Sequence, residues 1–410
     1  MMLWRIFFCF AFGYFVSYSF RTIGALIAPD LAQELKLDAS ELGLLGSAFF
    51  FTFAVLQLPY GIALDRYGPR RVNGTLFVLT ALGAALFALS GNFMAALVGR
   101  AVIGAGVAVA LMSAFKSFVI WYPPEKREML SAFMMAVGGV AAMTMASPAE
   151  WAMRSIGWRG VIGWLGVLAV LVAALIWWLV PDPPRAANAP QTPAGPGSLA
   201  LIGGLFTDWR FMRYAPMAFF GSGGFSSIQA LWAGPFLIEV GGQTRAGAAH
   251  TLLCFGAGML VGYVLIATTV SRLTRFIEQR TANTRAGSEW IYVGGLLIAQ
   301  SALAVIALNW FPGNPWVWVL YGGTLGTSML AYPALTKTFP VAIAARVMTT
   351  YNVLMFAGAF ALQWGMGALI DALMESGIAK PLAYQWSFGS IVALQFASVV
   401  WFWFTPRARQ

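Results

Sequence analysis

The sequence predicts an all-α polytopic membrane protein, with twelve transmembrane helices arranged as two pseudo-symmetric six-helix bundles. The 410-residue chain is 60% hydrophobic and only 10% charged, with a mean hydropathy of +0.75, whereas soluble domains carry about 25% charged residues. Apolar runs of roughly 20 residues, each long enough to cross a bilayer as a helix, recur along the whole chain. One Pro-, Ala- and Gly-rich stretch separates six runs from the other six, which favours two bundles related by a pseudo-two-fold axis.

The order of the elements follows from these runs. Residues 181–210, which include PDPPRAANAPQTPAGPGS, cannot build a core and indicate a flexible linker between domains 1–180 and 211–410. The first run continues to Ala28 without a small-residue cleavage site, which favours a membrane helix over a signal peptide. The predicted spans lie near 4–28, 42–64, 72–91, 94–121, 129–151 and 160–180, and in the second half near 212–237, 248–270, 290–309, 315–336, 347–370 and 384–404.

The lysines and arginines predict the orientation in the membrane. With the amino terminus inside, seventeen of the 25 basic residues fall on the cytoplasmic face. The sequence therefore predicts an inner-membrane protein whose termini and linker are cytoplasmic, and this topology explains the net charge of +10 better than a nucleic-acid partner does. Five basic residues fall on the opposite face, namely Lys36, Arg154, Arg159, Arg245 and Lys380. The remaining three, Arg21, Arg100 and Lys116, fall inside spans.

A short charged loop, Gly61–Arg71, joins the second and third spans with the sequence GIALDRYGPRR. Gly61 and Gly68 are expected where the chain turns sharply, because glycine adopts such backbone conformations at low cost. Pro69 suits the first turn of the next helix. A basic loop can simply anchor the protein on the cytoplasmic side, but the pattern G-x-x-x-D-R-x-G-x-R-R resembles the signature loop between helices two and three of the major facilitator superfamily of secondary transporters.

Two further stretches resemble the same superfamily. Residues 99–106, Gly-Arg-x-x-x-Gly-x-Gly, are similar to its helix-four motif, and WYPPEKR at 121–127 with GWRG at 157–160 is similar to its sequence around helix five. The resemblance covers essentially the whole chain and implies the major facilitator fold, with alternating access to a cargo site between the halves. It assigns gating or conformational roles to Gly61, Asp65, Arg66, Gly68, Arg70, Arg71 and Arg100, the last of them mostly structural.

Arg21 is the most informative ionisable residue, because a charge inside a membrane span is costly and by default marks a pathway or a site. It lies about two turns before Pro29, which is expected to end the helix, and Tyr14 and Tyr18 share its face. The pattern Tyr-x-x-x-Tyr-x-x-Arg resembles the organophosphate/phosphate exchanger branch, where such an arginine contacts the anionic head group. A guanidinium suits a carboxylate or a phosphate. Alternatively, Arg21 extends towards the interface or pairs with Glu150.

Other candidates for cargo binding are Lys116 in the fourth span and neutral polar or aromatic residues in the second half. Lys116 could instead extend to the cytoplasmic face, and the neutral residues could be hydrogen-bond partners between helices. The exchanger branch has a second basic residue within helix seven, whereas here Arg213 lies at its very start. A singly charged carboxylate therefore fits better than a sugar phosphate. The neutral candidates are Gln229, Trp232, Tyr332, Asn352 and Gln363.

The acidic residues give a second indication, since none lies at the middle of a predicted span. Up to three intramembrane cations without a counter-ion favour an anion that arrives from outside. A proton-coupled symporter would have to use Glu150, Asp371 or the single histidine, His250, all predicted near the outer face.

These features predict a secondary active transporter that takes up a small organic anion, acts as a monomer in the lipid bilayer, and needs no cofactor, metal or nucleic acid. An enzyme is disfavoured by the single histidine and by the lack of an HExxH, Cys/His or glycine-rich nucleotide motif. The alternatives are a multidrug or metabolite exporter and a transporter-like solute sensor. The sequence MTMASPAEWA around Pro148 lacks the glycines of the helix-five motif of drug-exporting antiporters.

Overall fold

A computed structural model of the chain describes residues 2–182, 203–281 and 286–405. Within these ranges the regular structure is helical, with no strand, and the helices follow the twelve predicted spans. Eight stretches are long and apolar enough to cross a membrane, and one of them, Ala39–Ala88, holds two spans joined by a kink. Most of the predicted linker, 181–210, lies outside the described residues.

The first half contains six helices, three of which are interrupted. They are α1 (Met2–Thr22 with Gly24–Leu35), α2 (39–67), α3 (69–88), α4 (Phe93–Val107 with Ala110–Trp121), α5 (Pro124–Thr144, continued over 147–156) and α6 (158–179).

The described part of the second half also contains six helices, and two of them are built from short segments. They are α7 (Trp209–Met212, Met217–Ser222, Gly223–Ser227, Ile228–Trp232 and Ala233–Glu239), α8 (Arg245–Thr281), α9 (Ala286–Ala307), α10 (Pro315–Gly323, Leu325–Ser328 and Ala331–Thr336), α11 (Val341–Glu375) and α12 (Lys380–Phe404).

The turn between α2 and α3 occurs at Gly68 alone. Its φ of 78° and ψ of 163° lie in a region that side chains other than glycine rarely adopt, and Pro69 follows as the first residue of α3. The prediction that the chain also turns at Gly61 is wrong, because α2 continues through Gly61. The glycine at this position faces open space, so neither strain nor packing requires it.

Helix α1 does not end at Pro29, contrary to the prediction, but continues to Leu35. A proline has no N–H to donate to the carbonyl four residues earlier, which is that of Ala25. Gly234 of α7 packs against this carbonyl so closely that a Cβ atom would overlap it. The proline thus permits close contact between α1 and α7. The real interruption of α1 lies at Ile23, two residues after Arg21.

Helix α7 contains two π-helical segments, Met217–Ser222 and Ile228–Trp232. Such wider turns leave backbone carbonyls without their usual helical partners and are frequent at functional sites. The Nε2 atom of Gln395 on α12 donates to the carbonyls of Phe220 and Gly221, at 3.2 and 3.3 Å. The side chain of Gln395 therefore supports an irregular α7 that faces the first half of the protein.

The two ends of the bundle differ in how the halves meet. We call the end that carries Asp65 and Asp182 the linker end and the opposite end the far end. At the far end, the carboxylate of Asp371 on α11 accepts from the backbone N–H groups of Ala39 and Ser40 on α2, at 3.1 and 2.6 Å. The far end is therefore closed by bonds between the halves.

A second bond between the halves lies at the same end. Arg245 at the start of α8 forms an ion pair with Asp30 of α1, with Nη1 donating to Oδ1 at 2.7 Å. Two parallel bonds between a guanidinium and a carboxylate have the geometry that favours a strong, oriented pair. The far end is thus held at two separate places.

At the linker end, the charged loop binds its own half and the start of the linker. Asp65 pairs with Lys116 of α4 at 2.6 Å, although its side chain is 83% exposed. Arg70 donates to the carbonyl of Trp177 at 2.6 Å and pairs with Asp182 at 2.8 Å. None of these bonds, within the described residues, connects the loop to α11.

Candidate functional site

A cavity of about 140 Å³ lies between the two halves, much larger than the roughly 10–15 Å³ that one buried water molecule needs. Its lining comes from both halves, as expected for a site that alternates between the two sides of a membrane. The polar lining residues of the first half are Tyr14, Ser17, Tyr18, Arg21 and Gln57. Those of the second half are Ser222, Ser226, Tyr263, Ser328, Tyr332 and Asn352.

Arg21 is the one charged side chain among the described residues that line this cavity. Its Nη2 atom donates to Ser226 Oγ of α7 at 2.6 Å, across the boundary between the halves. The guanidinium lies over the rings of Tyr18, Phe50 and Phe356, with its carbon 5.3, 5.4 and 5.7 Å from the three ring centroids. Aromatic faces stabilise a cation without neutralising its charge.

No carboxylate of the described residues pairs with Arg21. The alternative partner considered from the sequence, Glu150, binds Arg154 one turn further along the same helix, with N–O distances of 2.9 and 3.1 Å. The Nε atom of Arg21 is buried and has no hydrogen-bond partner in the structure. A buried donor without a partner is costly, so the site favours a ligand that brings an acceptor to this guanidinium.

Tyr14 and Tyr18 both line the cavity, and their rings pack edge to face with centroids 5.8 Å apart. The hydroxyl of Tyr18 donates to Gln229 Oε1 of α7 at 3.2 Å, and the amide nitrogen of Gln229 points to the sulfur of Met259. Gln229 was predicted to bind cargo, but it lies behind the cavity wall. Through its hydrogen bond, Gln229 positions the hydroxyl of Tyr18.

A chain of neutral polar groups lines another part of the cavity. The hydroxyl of Tyr332 donates to Asn352 Oδ1 at 3.1 Å, and Asn352 Nδ2 donates to Gln57 Oε1 at 3.4 Å across the two halves. Gln57 Nε2 in turn donates to the carbonyl of Ala108, where α4 is interrupted, at 3.4 Å. We call Gln57, Tyr332 and Asn352 the neutral group.

Gln57, Ser226 and Tyr263 line the cavity but are not among the residues predicted from the sequence. Gln57 carried a usable signal, since it is an isolated amide within an apolar span, the same criterion that selected Gln229 and Gln363. Ser226 and Tyr263 carried none, because serine and tyrosine are common in membrane helices and only the packing of α7 and α8 brings them to the cavity.

Besides Gln229, three predicted cargo ligands lie outside the cavity lining. Lys116 is at the linker end, where it binds Asp65 and the carbonyl of Leu64. Trp232 is fully buried, and its Nε1 atom donates to the carbonyl of Gln363 at 2.9 Å. The amide of Gln363 packs against Gly46 of α2, so Trp232 and Gln363 belong to a contact between the halves.

The candidates for proton coupling also lie outside the cavity lining. Glu150 is buried and paired with Arg154, and Asp371 accepts the α2 amides at the far end. His250 lies on the surface of α8, with Nδ1 4.0 Å from Cys254 Sγ. Their role in coupling stays a prediction.

Arg100 stabilises the interrupted helix next to Arg21. It is 2% exposed, and its Nη1 atom donates to the carbonyl of Phe20 at 2.8 Å. Its guanidinium carbon lies 5.1 Å from the ring centroid of Phe49. Because Phe20 immediately precedes Arg21, this bond fixes the backbone that carries the cavity cation, in line with the structural role expected for Arg100.

Solved structures share this fold at low sequence identity. The crystal structure of a D-xylose-proton symporter matches with a TM-score of 0.79 and 15% identity, over 99% of this chain and 98% of the symporter chain. A bacterial homolog of the human lysosomal transporter Spinster, in an inward-facing and unoccupied conformation, matches with a TM-score of 0.72 and 19% identity, over 98% and 96%. These matches show the fold alone.

Curated relatives align over parts of their length. The "Probable sulfoacetate transporter SauU" of Cupriavidus necator is 32% identical over 28% of this chain and 26% of its own. The "Probable L-galactonate transporter" of Escherichia coli is 29% identical over 41% and 37%. The "Probable sugar efflux transporter" of Helicobacter pylori is 26% identical over 65% and 66%. The chain thus covers from about a quarter to two thirds of these relatives' lengths.

A family profile gives the assignment directly. Residues 10–363 match that of the Major Facilitator Superfamily, a stretch that includes the charged loop, the cavity cation and most of both halves. This match agrees with the twelve helices of the described residues and with the cavity between the halves, which are both expected of a transporter of this superfamily. The chain is a multi-pass membrane transporter that belongs to the Major Facilitator Superfamily.

Proposed function

We propose that this protein is a secondary active transporter for a small organic anion with a carboxylate group, which binds Arg21 in the cavity between the halves. One observation carries the proposal: the cavity contains a guanidinium that no carboxylate of the described residues neutralises, and its Nε donor is unpaired. A bound carboxylate supplies both the charge and the acceptors that this site lacks.

The names of two relatives support an anionic cargo, since sulfoacetate and L-galactonate are both organic anions. The sugar efflux relative supports a second candidate, export of an uncharged sugar, because the neutral group offers hydrogen bonds to hydroxyls. An uncharged sugar, however, leaves the charge of Arg21 without a partner in a membrane interior. We therefore favour the anion.

The proposed orientation places the linker end in the cytoplasm of an inner-membrane protein, with both termini inside. It rests on the seventeen-to-five distribution of basic residues between the two faces. With this orientation, the far end, which bonds between the halves hold closed, faces outward. The proposed direction of transport is uptake by a monomer.

The test is a pair of substitutions at Arg21. Arg21→Lys keeps the charge but loses the planar pair of donors, whereas Arg21→Gln keeps donors and loses the charge. Truncation of one partner of a buried charge pair costs about 2–5 kcal/mol, so Arg21→Gln is expected to weaken binding roughly thirtyfold or more, and Arg21→Lys less. Binding is measured by isothermal titration calorimetry with D-gluconate and L-galactonate, which carry one carboxylate each, and transport by their uptake into proteoliposomes.

Arg272→Gln is the matched control, because it removes the same charge from an exposed position on α8. Melting temperature and yield are recorded for every variant. Unchanged affinity in a well-folded Arg21→Gln variant would exclude Arg21 as the anion ligand. Binding of D-glucose as tight as that of both anions would favour the sugar-export alternative.

A further inference from the structure

We infer that the cargo is a polyhydroxylated monocarboxylate, and that the neutral group, Gln57, Tyr332 and Asn352, selects it by binding its hydroxyl groups. The inference rests on the proposed anion site at Arg21 and adds what the rest of the ligand must be. It follows from the charge of the cavity lining, from the separation between Arg21 and the neutral group, and from the hydrogen bonds within that group.

The charge of the lining limits the charge of the cargo. Among the described residues that line the cavity, Arg21 carries the only positive charge and no side chain carries a negative one. One guanidinium matches one carboxylate, and a second anionic group would lie desolvated without a partner. The site therefore fits a monoanion that carries no ammonium group.

Helix geometry gives the distance between the two polar regions. Phe50 and Phe356 flank the guanidinium of Arg21. Gln57 follows Phe50 by seven residues on α2, and Asn352 precedes Phe356 by four residues on α11. At about 1.5 Å rise per residue, Gln57 and Asn352 lie roughly 10 and 6 Å from the level of Arg21.

Both displacements point in the same direction. Helix α2 runs towards the linker end, and α11 begins there, so the neutral group lies on the linker side of Arg21. With carbon–carbon bonds of about 1.5 Å, an extended chain of about five or six carbons connects the two regions. The rings of Phe53 and Phe356, with centroids 4.2 Å apart, lie along the way and can contact the C–H groups of such a chain.

The chemistry of the neutral group matches hydroxyls better than any other uncharged function. Each amide presents donors and an acceptor on separate atoms, and the phenol can donate or accept. An amide can therefore both donate to and accept from a hydroxyl, and the phenol can do one or the other. The bond between Asn352 and Gln57 is 3.4 Å long, at the weak end of the N–H···O range. A cargo hydroxyl between the two amides replaces one long bond by two shorter ones.

An apolar tail has the opposite effect. It removes water from the two amides and the phenol without returning hydrogen bonds, and sites built to bind hydroxyls reject analogues that lack them. The neutral group therefore acts as the specificity determinant, whereas Arg21 supplies the affinity for the carboxylate that all such acids share.

The test compares three ligands that differ in one feature each. D-gluconate has a carboxylate and hydroxyls, hexanoate has the same carboxylate and chain length without hydroxyls, and D-glucose has hydroxyls without the charge. Dissociation constants are measured by calorimetry on the purified full chain. We expect gluconate to bind at least about tenfold more tightly than hexanoate, because its hydroxyls form hydrogen bonds that each contribute a net favourable free energy. We expect glucose to bind more weakly than gluconate, because it lacks the carboxylate.

Two variants assign the selectivity to residues. Gln57→Leu and Tyr332→Phe each remove hydrogen-bonding groups at nearly constant size, and each is expected to weaken gluconate binding about fivefold or more while hexanoate changes by less than about twofold. Gln33→Leu, the same change on the exposed surface of α1, is the control and should change neither constant.

The outcomes separate the inference from the proposed function. Hexanoate binding as tight as gluconate binding, or equal losses for both acids in the two variants, overturns the inference and leaves the anion site intact. No binding of either acid, or glucose binding as tight as gluconate binding, overturns the proposed function and the inference with it.

Discussion

The bond between Asp371 and the start of α2 leads to a quantitative prediction about the equilibrium between conformations. Both carboxylate oxygens accept backbone N–H groups of the other half, and hydrogen bonds to a charged group contribute about 1.5–3 kcal/mol each. The positive end of the α2 dipole adds about 0.3–1 kcal/mol. The bond exists only while the far end is closed, so its free energy favours that state.

Asp371→Asn removes the charge and one of the two acceptors while it keeps the size of the side chain. Since one neutral hydrogen bond remains, we expect a net loss of about 1.5–3 kcal/mol from the closed far end. A difference of 1.4 kcal/mol is a factor of ten in an equilibrium constant. The population with an open far end should therefore increase relative to the closed one by roughly tenfold or more.

The distance between the halves at the far end measures this shift. Spin labels at Gln33→Cys on α1 and Ala246→Cys on α8, both exposed, report it by double electron–electron resonance, with Cys9 and Cys254 replaced by alanine. The wild type should show mainly the short distance of the closed far end. Asp371→Asn should add a longer distance and increase its share.

Glu34→Gln is the matched control. Glu34 also lies at the far end, but it binds Trp158 and Arg159 of its own half at 2.7 Å each. Its loss should lower the melting temperature without a change in the distance distribution. A distribution in Asp371→Asn that equals the wild type, with the control also unchanged, would refute the idea that this carboxylate holds the far end closed.

Three further predictions concern the Arg245–Asp30 pair, Lys116, and the two glycines Gly68 and Gly61. Arg245→Asp should increase the open far-end population in the same distance measurement, and the added exchange Asp30→Arg should reverse the effect, because the pair joins the two halves. Lys116→Met should leave the dissociation constant of the anion within about twofold, because the ammonium lies outside the cavity lining; a tenfold loss in calorimetry would contradict this. Gly68→Ala should destabilise the protein by about 1–3 kcal/mol, because alanine rarely adopts the backbone angles of Gly68. Gly61→Ala should stabilise it by about 0.5–1 kcal/mol, because Gly61 lies within a helix and faces open space. Denaturation midpoints of the two variants and the wild type test both predictions.

The sequence was sufficient for the helical fold and for the main cation of the cavity. A continuous apolar run of membrane length favours a helix, because a helix satisfies its backbone hydrogen bonds within its own segment. The spans therefore followed from length and composition. Arg21 stood out because a charge within a span is costly. The turn at Gly68 was also predictable, since glycine followed by proline ends one helix and starts the next.

The sequence was not sufficient for the partners of polar groups. Lys116 and Arg21 are both cations within apolar spans, but the first reaches Asp65 at the linker end and the second remains in the cavity. Depth along a helix does not decide this, because a lysine side chain can extend by several ångströms. The same limit applies to Trp232 and Gln363, whose positions depend on how the two halves pack against each other.

The acidic residues at opposite ends of α2 and α11 suggest how two conformations can have similar free energies. In this structure Asp371 at the end of α11 binds the start of α2, while Asp65 at the end of α2 is exposed and held by Lys116. The family resemblance leads us to expect Asp65 against the start of α11, near Met348, when the linker end closes. The two helices are antiparallel, so each conformation would retain one carboxylate at a helix start, where backbone N–H groups and the helix dipole stabilise it. Breaking one contact while forming the other keeps the net free-energy difference small, and a small difference is what allows a bound cargo of modest affinity to shift the equilibrium.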